Sequence, residues 1–285
     1  MMLGARSSCV GEVGGHMPSR ILHNHLKAKV ERGENAFGVL MPWFALDLVE
    51  LLGHVGFDWL LIDAEHGSIG RESCEALVRA CNVVDMTPIV RIPDKSDATI
   101  LSYLEAGALG IFVPHVNTAD DARAVVAATQ YGPDGTRGAC STSRMAHYGV
   151  TQSPSEYFAM ANQQIIVIIQ IEEIRAIDNL DEILAVDGVF GVSLGAGDLA
   201  ITMGLPGQHT HPEVQKVVAS AEARVLASGK VLCPFVAEAD GVAAHRVAAN
   251  GGKVVCVRVG SLVTSISRQF LADALAAPAG QPTPR

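Results

Sequence analysis

Short apolar segments alternate with amphipathic stretches about eight times along this chain, and no other feature constrains its fold as strongly. The apolar segments lack polar alternation, as strands buried on both faces of a parallel sheet require. The predicted strands are Phe37–Met41, Phe57–Asp63, Pro88–Ile92, Gly110–Val116, Ile165–Glu172, Gly188–Leu194, Val231–Val236 and Val254–Gly260. Helical spacing is clearest in Asp97–Ala106, Ala119–Gln130, Asn179–Val186 and His211–Ser228.

Strands and helices in this order predict an α/β fold, a (β/α)₈ TIM barrel formed by residues 19–275. The 285 residues, 49% of them hydrophobic, suffice for one core of that size. An open doubly wound sheet is the alternative, but residues 37–47 contain no G-x-G-x-x-G turn after the first strand. Residues 1–18 and 276–285 show no apolar period, and we expect them to be loose tails.

The composition excludes several classes of protein. The formal net charge is −9, and no run of Lys or Arg offers the basic face that binds nucleic acid. The most apolar run, Ile165–Ile169, is far shorter than the ~20 residues that span a membrane. The amino-terminal residues show no secretory pattern, and the six cysteines form no C-x-x-C pair. We therefore expect a cytoplasmic protein with free thiols.

Polar residues gather where the predicted strands end, and in a parallel barrel these ends form the active site. Because they follow consecutive strands, we expect them to form one contiguous arc. No comparable set occurs where the strands begin. The residues of the arc are Asp63, Glu65, His66, Arg91, His115, Gln170, Glu172 and Asp198.

Gln170 and Glu172 lie on the same face of the fifth strand because side chains alternate along a strand. A carboxylate inside the barrel must be paired or must bind a metal. With Asp198 from the next strand end, Glu172 offers hard oxygen ligands that suit Mg²⁺ or Mn²⁺. The alternative is that salt bridges or helix caps hold both carboxylates, with Asp198 capping a helix at Leu199–Met203.

Three further residues of the arc suggest roles in catalysis. Arg91 is a permanent charge in an apolar strand, so it needs an anionic partner, either a substrate or a carboxylate such as Glu65. His66 titrates in a range that suits proton transfer near neutrality, although a structural role is equally compatible with its position. His115 has no partner evident from the sequence.

Five motifs of the chain resemble one known family. FDWLLIDAEHG, PIVRIP, YGPDGTRG, VIIQIE and VDGVFGVSLGAGDLA occur in this order, and the resemblance extends from about Phe37 to about Ser267. Together they resemble the class II 2-oxo-acid aldolases of the HpcH/HpaI group, such as 4-hydroxy-2-oxoheptanedioate, 2-dehydro-3-deoxyglucarate and 2-keto-3-deoxyrhamnonate aldolases. The resemblance implies a carbon–carbon lyase that cleaves 4-hydroxy-2-oxo acids to pyruvate and an aldehyde, through the pyruvate enolate, and catalyses the reverse condensation.

The resemblance also implies what individual residues do. Glu172 and Asp198 would hold a divalent cation, Mg²⁺, Mn²⁺ or Co²⁺, with Gln170 beside it. Arg91 would bind the pyruvyl oxygens and the enolate charge, and His66 would assist proton transfer.

Three positions depart from the family pattern. The sequence Gly195-Ala196-Gly197-Asp198 replaces the usual Gly-Pro-x-Asp, in a loop where the N–H groups of Gly197 and Asp198 would bind the pyruvate carboxylate. Glu105 replaces the aspartate that usually assists the histidine, and it would take that catalytic role if its longer side chain is accommodated. His115 replaces a commoner apolar residue, so it would contact the substrate and tune the choice of aldehyde.

The sequence leaves alternatives open. A Schiff-base aldolase needs a lysine at the carboxyl end of a strand, whereas Lys253 begins the last strand and Lys95 lies in a loop. A catalytically silent metabolite-binding barrel and a related metal-enolate lyase or decarboxylase are the others. Proteins of this family are commonly hexamers, trimers of dimers, in which the last helix packs on a neighbour, and the apolar stretch Ser261–Ala277 is compatible with that.

Overall fold

Nine parallel strands form one sheet in the part of the chain that the computed structural model describes, residues 22–276. The predicted tails, 1–18 and 276–285, lie outside the described residues except for Ala276, which ends the last helix. The order across the sheet is β7-β6-β5-β4-β3-β2-β1-β9-β8. The strands are Ala36–Met41 (β1), Trp59–Asp63 (β2), Thr87–Arg91 (β3), Gly110–Val113 (β4), Ile166–Ile171 (β5), Gly191–Leu194 (β6), Val231–Leu232 (β7), Phe235–Val236 (β8) and Val254–Arg258 (β9).

Twelve α-helices accompany this sheet within residues 22–276. None of them combines the length and the apolarity needed to cross a bilayer. The helices are His25–Glu31 (α1), Leu46–Val55 (α2), Arg71–Val83 (α3), Asp97–Ala106 (α4), Ala119–Thr129 (α5), Pro154–Gln164 (α6), Ile174–Asp178 (α7), Leu180–Leu184 (α8), Ala196–Thr202 (α9), Pro212–Ala227 (α10), Gly241–Ala249 (α11) and Val259–Ala276 (α12).

The α/β alternation predicted from the sequence is confirmed, and α4 has both of its predicted ends. The Ser96 side chain accepts a hydrogen bond from the N–H of Thr99 and so begins α4. Gly107, in the left-handed conformation, ends it. The prediction of one continuous strand at residues 231–236 is wrong: the segment forms two short strands, β7, which pairs with β6, and β8, which pairs with β9. Pro234 lies between them and has no N–H to donate to a neighbouring strand.

The two ends of the sheet meet along this interrupted segment. Leu232 forms a parallel bridge with Gly252, and its carbonyl accepts a hydrogen bond of 2.9 Å from the N–H of Lys253. The N–H of Cys256 donates to the carbonyl of Pro234 at 3.0 Å. The sheet is therefore strongly curled, and its strand ends converge.

Apolar side chains fill both sides of the curled sheet. Those on the outer side pack against the helices in the largest apolar cluster of the protein. Those on the inner side form a second cluster that excludes water beneath the strand ends. The inner cluster includes Leu26, Leu40, Trp59, Leu61, Ile89, Phe112, Ile166, Ile168, Cys233 and Cys256.

Helix α1 covers the end of the sheet where the strands begin. Leu26 belongs to the inner cluster, and its N–H donates to the Thr87 hydroxyl at 3.0 Å. The buried Asn24 side chain donates to the carbonyls of Leu109 at 3.0 Å and Gln164 at 2.8 Å. Since this end is closed, a ligand reaches the interior from the opposite end, where the strands finish.

We predict that Gly38→Ala destabilises the protein by about 1–3 kcal/mol, because an added Cβ would lie 2.3–2.4 Å from three atoms of the Trp59 indole. Urea denaturation measures this loss. Gly241→Ala is the matched control, since no atom lies within 4 Å of its Cβ position. Equal stability of the two variants would contradict the close packing at Gly38.

Candidate active site

Arg91 and Asp63 form a buried, two-pronged ion pair at the carboxyl ends of neighbouring strands. Arg91 Nε donates to Asp63 Oδ1 at 3.0 Å, and Nη2 donates to Oδ2 at 2.7 Å. The side chains are 11% and 3% exposed. Burial raises the pKa of Asp63, but the hydrogen bonds and the charge of Arg91 outweigh it and lower that pKa below its usual value. Nη1 of Arg91 has no hydrogen-bond partner among the described residues, so it remains available to a ligand.

Glu65 connects this ion pair to two histidines. Its Oε2 lies 3.2 Å from Arg91 Nε and 3.6 Å from His66 Nε2, and its Oε1 lies 3.9 Å from His115 Nε2. Burial raises the pKa of Glu65, against the opposing charge of Arg91. Glu65 is therefore a second carboxylate beside the Arg91–Asp63 ion pair.

His66 is positioned by a tight turn after β2. Its N–H donates to Asp63 Oδ1 at 3.2 Å, and its ring is largely exposed. A Cβ at Gly67 would lie 2.2 Å from the Asp63 carbonyl oxygen and 2.8 Å from the Pro42 carbonyl oxygen. The turn thus requires glycine at 67, and it leaves the imidazole at the mouth of the site.

Glu172 is the most enclosed carboxylate on the β5 side of the site. Its side chain is 3% exposed, its Oε1 accepts a 2.8 Å hydrogen bond from the His115 N–H, and Gln170 Nε2 donates to its Oε2. Burial raises its pKa, and the negative charges of Asp198 and Glu65 raise it further. No lysine or arginine side chain forms an ion pair with Glu172 within residues 22–276.

Gly195 brings the end of β6 against this carboxylate. A Cβ there would lie 2.6 Å from the Glu172 Cβ and 3.0 Å from Gln170 Nε2, so only glycine fits. Gly195 begins α9, and Asp198 lies in its first turn. The alternative of Asp198 as the cap of a helix at 199–203 is therefore wrong. Gly197 has open space at its Cβ position.

The strained backbone of His115 directs its N–H to Glu172. His115 has φ of 54°, in the left-handed region that non-glycine residues rarely occupy. Its Nδ1 lies 3.2 Å from Glu172 Oε1 and 3.1 Å from Glu173 Oε1. The structure therefore places His115 at the carboxylates, where the sequence offered no partner for it.

Glu105 lies elsewhere. It sits at the carboxyl end of α4, the helix that Gly107 terminates, near the start of β4 and so at the opposite end of the sheet from His66. Its Oε1 accepts a 2.9 Å hydrogen bond from the fully buried Arg137, whose guanidinium lies 4.4 Å from the centre of the Tyr131 ring. Within one chain, then, the expected approach of Glu105 to His66 does not occur.

The lysines considered for a Schiff base are engaged in other contacts. Lys95 Nζ donates to Asp121 Oδ1 at 2.7 Å and to the His115 carbonyl at 2.9 Å. Lys253 Nζ donates to the Gly33 carbonyl at 2.9 Å, at the end where the strands begin. A nucleophilic lysine requires a desolvated amine without an interaction partner, and neither of these two amines meets that requirement.

The donor set fits a hard divalent cation. Glu172 and Asp198 are close enough for the charge of Asp198 to raise the pKa of Glu172, and a cation would relieve both the repulsion and the burial cost. Within residues 22–276, no group of three or more His, Cys, Asp or Glu side chains is arranged to hold a metal. A cation here would therefore keep positions for water and substrate.

Asp63 and Glu65 belong to the predicted arc, but no role was expected of Asp63, and Glu65 was expected only as a possible carboxylate partner of Arg91. Their signal is the spacing in Asp63-Ala64-Glu65, which places two carboxylates on one side of the chain directly after a buried strand. Glu173 was missed altogether, because nothing in the sequence shows that it faces His115.

We predict that Asp63→Asn lowers the free energy of unfolding by about 3 kcal/mol at pH 7, because it removes the two-pronged partner of the buried Arg91 charge and leaves only the contact with Glu65. The lowered pKa of Asp63 stabilises the fold above the unfolded-state value of about 3.9. This contribution disappears as pH falls through the folded-state pKa, so the difference from the wild type narrows below about pH 4. Urea titrations over a pH series measure it.

Glu34→Gln is the control, because the Arg32–Glu34 ion pair is exposed and its loss changes stability little. A gap between the wild type and Asp63→Asn that stayed constant down to acid pH would contradict the stabilising role of the Asp63 charge.

The chain is similar in sequence to known aldolases. Over 203 residues the chain is 37% identical to the hydroxypyruvate/pyruvate aldolase of Sagittula stellata, and the aligned region covers 71% of this chain and 79% of that protein. It is 35% identical over 246 residues to the 2-keto-3-deoxy-L-rhamnonate aldolase of an Escherichia coli O17:K52:H18 strain, covering 86% of this chain and 90% of that protein.

Solved structures share the fold. A HpcH/HpaI aldolase/citrate lyase family protein of Burkholderia cenocepacia J2315 superimposes with a TM-score of 0.82 at 29% identity, over 89% of this chain and all of that one. The protein CitE of Mycobacterium tuberculosis, solved with magnesium and pyruvate, has a TM-score of 0.51 at 17% identity, over 88% and 94% of the two chains, and shows likeness of fold alone. Residues 37–245 match the profile of the HpcH/HpaI aldolase/citrate lyase family, and the chain belongs to that family.

Proposed function

We propose that the protein is a class II aldolase that cleaves 4-hydroxy-2-oxo acids to pyruvate and an aldehyde, and catalyses the reverse condensation. The observation that carries this proposal is the buried Glu172 within electrostatic range of Asp198 at the carboxyl end of the sheet, together with the Arg91 guanidinium, whose Nη1 forms no hydrogen bond within residues 22–276. Aldolase activity of family members supports it. We further infer that the curled sheet is a (β/α)₈ barrel in which β7 and β8 together form the seventh strand.

Glu172 and Asp198 would hold the divalent cation, Mg²⁺, Mn²⁺ or Co²⁺, with the N–H of His115 and the amide of Gln170 fixing the orientation of Glu172. When bound, the cation supplies Lewis-acid polarisation of the 2-oxo group. The N–H groups of Gly197 and Asp198, in the first turn of α9, would bind the substrate carboxylate.

Arg91 would donate its free Nη1–H to the oxygen on which negative charge develops. Asp63 holds the guanidinium in place through its other two nitrogens, so this donor is preorganised. In cleavage, the bond between C3 and C4 breaks, its electron pair forms the enolate of pyruvate, and the 4-hydroxyl proton leaves as the aldehyde is released. Protonation of C3 then completes pyruvate.

His66 would move the proton, with Glu65 as its carboxylate partner at 3.6 Å. Glu105 was expected to assist His66, and its pairing with Arg137 removes it from that role within a single chain. His115 would contact the aldehyde half of the substrate, since its ring is exposed at the rim beside Glu172. A cytoplasmic location stays a prediction.

We predict that Glu172→Gln lowers deuterium exchange at the methyl group of pyruvate, with Mn²⁺ present, by about 100-fold or more, because the cation loses an anionic ligand. NMR measures the exchange. Glu173→Gln is the matched control and retains exchange within about 10-fold. EDTA abolishes exchange in the wild type and added Mn²⁺ restores it, whereas a pyruvate adduct trapped by borohydride would instead support a lysine mechanism.

We also propose that the protein is a homo-oligomer, a hexamer built as a trimer of dimers, in which α12 packs on a neighbouring copy. Only Val259 of this helix is buried, whereas Ile266 is 68% and Phe270 is 70% exposed. A largely apolar cavity of about 320 Å³ lies beside it on the outer side of β1 and β9, lined by Phe37, Val236, Val257 and Leu262 among others. A second copy would cover both surfaces.

We predict that Ile266→Asp with Phe270→Asp dissociates this assembly, because burying two carboxylates in an apolar interface is costly. Light scattering after size exclusion measures the mass. Arg268→Asp is the control variant: it introduces an aspartate on the side of α12 opposite to Ile266 and Phe270, and it leaves the mass of the assembly unchanged. A monomeric wild type, or a double variant of unchanged mass, would contradict the proposal.

A further inference from the structure

Two polar atoms beneath the proposed metal site are buried and have no hydrogen-bond partner within residues 22–276. They are Oε1 of Gln170 and Oγ of Ser193. The residues are 6% and 0% exposed. Unpaired buried polar atoms are rare because they lose the hydrogen bonds that water gives them, so two at one place call for an explanation.

The two atoms belong to side chains that are neighbours across the sheet. Gln170 and Ser193 are register partners in the parallel pair of β5 and β6, and register partners point to the same side. Gly195, two residues after Ser193 and so on the same face, has its Cβ position 3.0 Å from Gln170 Nε2. Ser193 therefore lies beside Gln170 on the same face of the sheet, one strand away.

The chemistry of the two groups is complementary. Gln170 uses Nε2 to donate to Glu172, so its Oε1 is an acceptor that needs a donor. A serine hydroxyl supplies one donor and rotates to direct it. If the side-chain amide of Gln170 were flipped, exchanging the positions of Oε1 and Nε2, Oε1 would face the Glu172 carboxylate and repel it. A donor at Oε1 consequently favours the orientation that holds Glu172.

The two atoms form no hydrogen bond with each other in the conformation described. We propose that Ser193 is a positioning residue: its hydroxyl donates to Gln170 Oε1 after rotation of the serine side chain, or through one enclosed water, and so holds the amide N–H against Glu172. This inference rests on the proposed function, since Glu172 matters here as a ligand of the cation. It adds a residue that touches neither cation nor substrate and acts through Gln170 alone.

Metal affinity tests the role. Calorimetric titration of the metal-free protein with Mn²⁺ gives Kd, which we expect to rise about 10-fold in Ser193→Ala, because outer hydrogen bonds of this kind change affinity by 10–100-fold. Ser193→Cys fills the same space with a weak donor and behaves like Ser193→Ala, whereas Ser193→Thr keeps the hydroxyl and stays within about 3-fold of the wild type.

Ser143→Ala is the matched control, because Ser143 Oγ is also buried without a partner but lies in the loop between α5 and α6. It leaves the Kd for Mn²⁺ unchanged. At saturating Mn²⁺, kcat of Ser193→Ala recovers to near the wild-type value, since only the affinity depends on the hydroxyl. A Kd in Ser193→Ala within 2-fold of the wild type overturns the proposal.

A double-mutant cycle in the metal-free protein separates this inference from the proposed function. If Ser193 and Gln170 share a hydrogen bond, the stability losses of Ser193→Ala and Gln170→Ala are not additive in the double variant. Additive losses overturn the contact whatever the activity is. If the wild type binds no Mn²⁺, both the proposed function and the role of Ser193 in metal binding are contradicted. The double-mutant cycle still tests separately whether Ser193 and Gln170 interact.

Discussion

Three carboxylates, those of Asp63, Glu65 and Glu172, lie buried at the carboxyl ends of β2 and β5, and Arg91 between them forms its two-pronged ion pair with Asp63. Their side chains are only 3%, 10% and 3% exposed, so water screens none of them well. Arg91 lowers the pKa of Asp63, but the pKa values of Glu65 and Glu172 are raised. This buried negative charge would favour the binding of a cation at the end of the sheet, as the proposed function requires.

The backbone around these carboxylates is arranged to bring them together. Gly67 allows the turn that carries His66 to pass against β2, and Gly195 lets β6 end against Glu172. His115 occupies a left-handed conformation and thereby directs its N–H to Glu172 Oε1. Strain of this kind persists only where the surrounding structure stabilises it, and here it lies among the residues that the proposed chemistry uses.

Part of the site was predictable because strand periodicity is local. Side chains alternate along a strand, so Gln170 and Glu172 lie on one face of β5. The order of the strands in a parallel barrel places Arg91, two strands away on β3, in the same arc of strand ends. Glu105 shows the limit of this reasoning. Its family position suggested a partner for His66, yet Glu105 is the penultimate residue of α4 and lies where β4 begins, at the opposite end of the sheet. The predicted bounds of this helix already implied that position, because helices and strands of a parallel barrel run in opposite directions. Only the structure shows that Glu105 meets the buried Arg137 there.

By itself the sequence determined the alternation of strands and helices, because apolar periodicity depends on which face of each segment avoids water. It also determined which polar residues follow the strands. Only the tertiary structure decided the two-pronged contact of Asp63 with Arg91 and the register that places Gln170 beside Ser193 across the sheet. These features depend on how far one strand is displaced along its neighbour, and residues distant in sequence set that displacement.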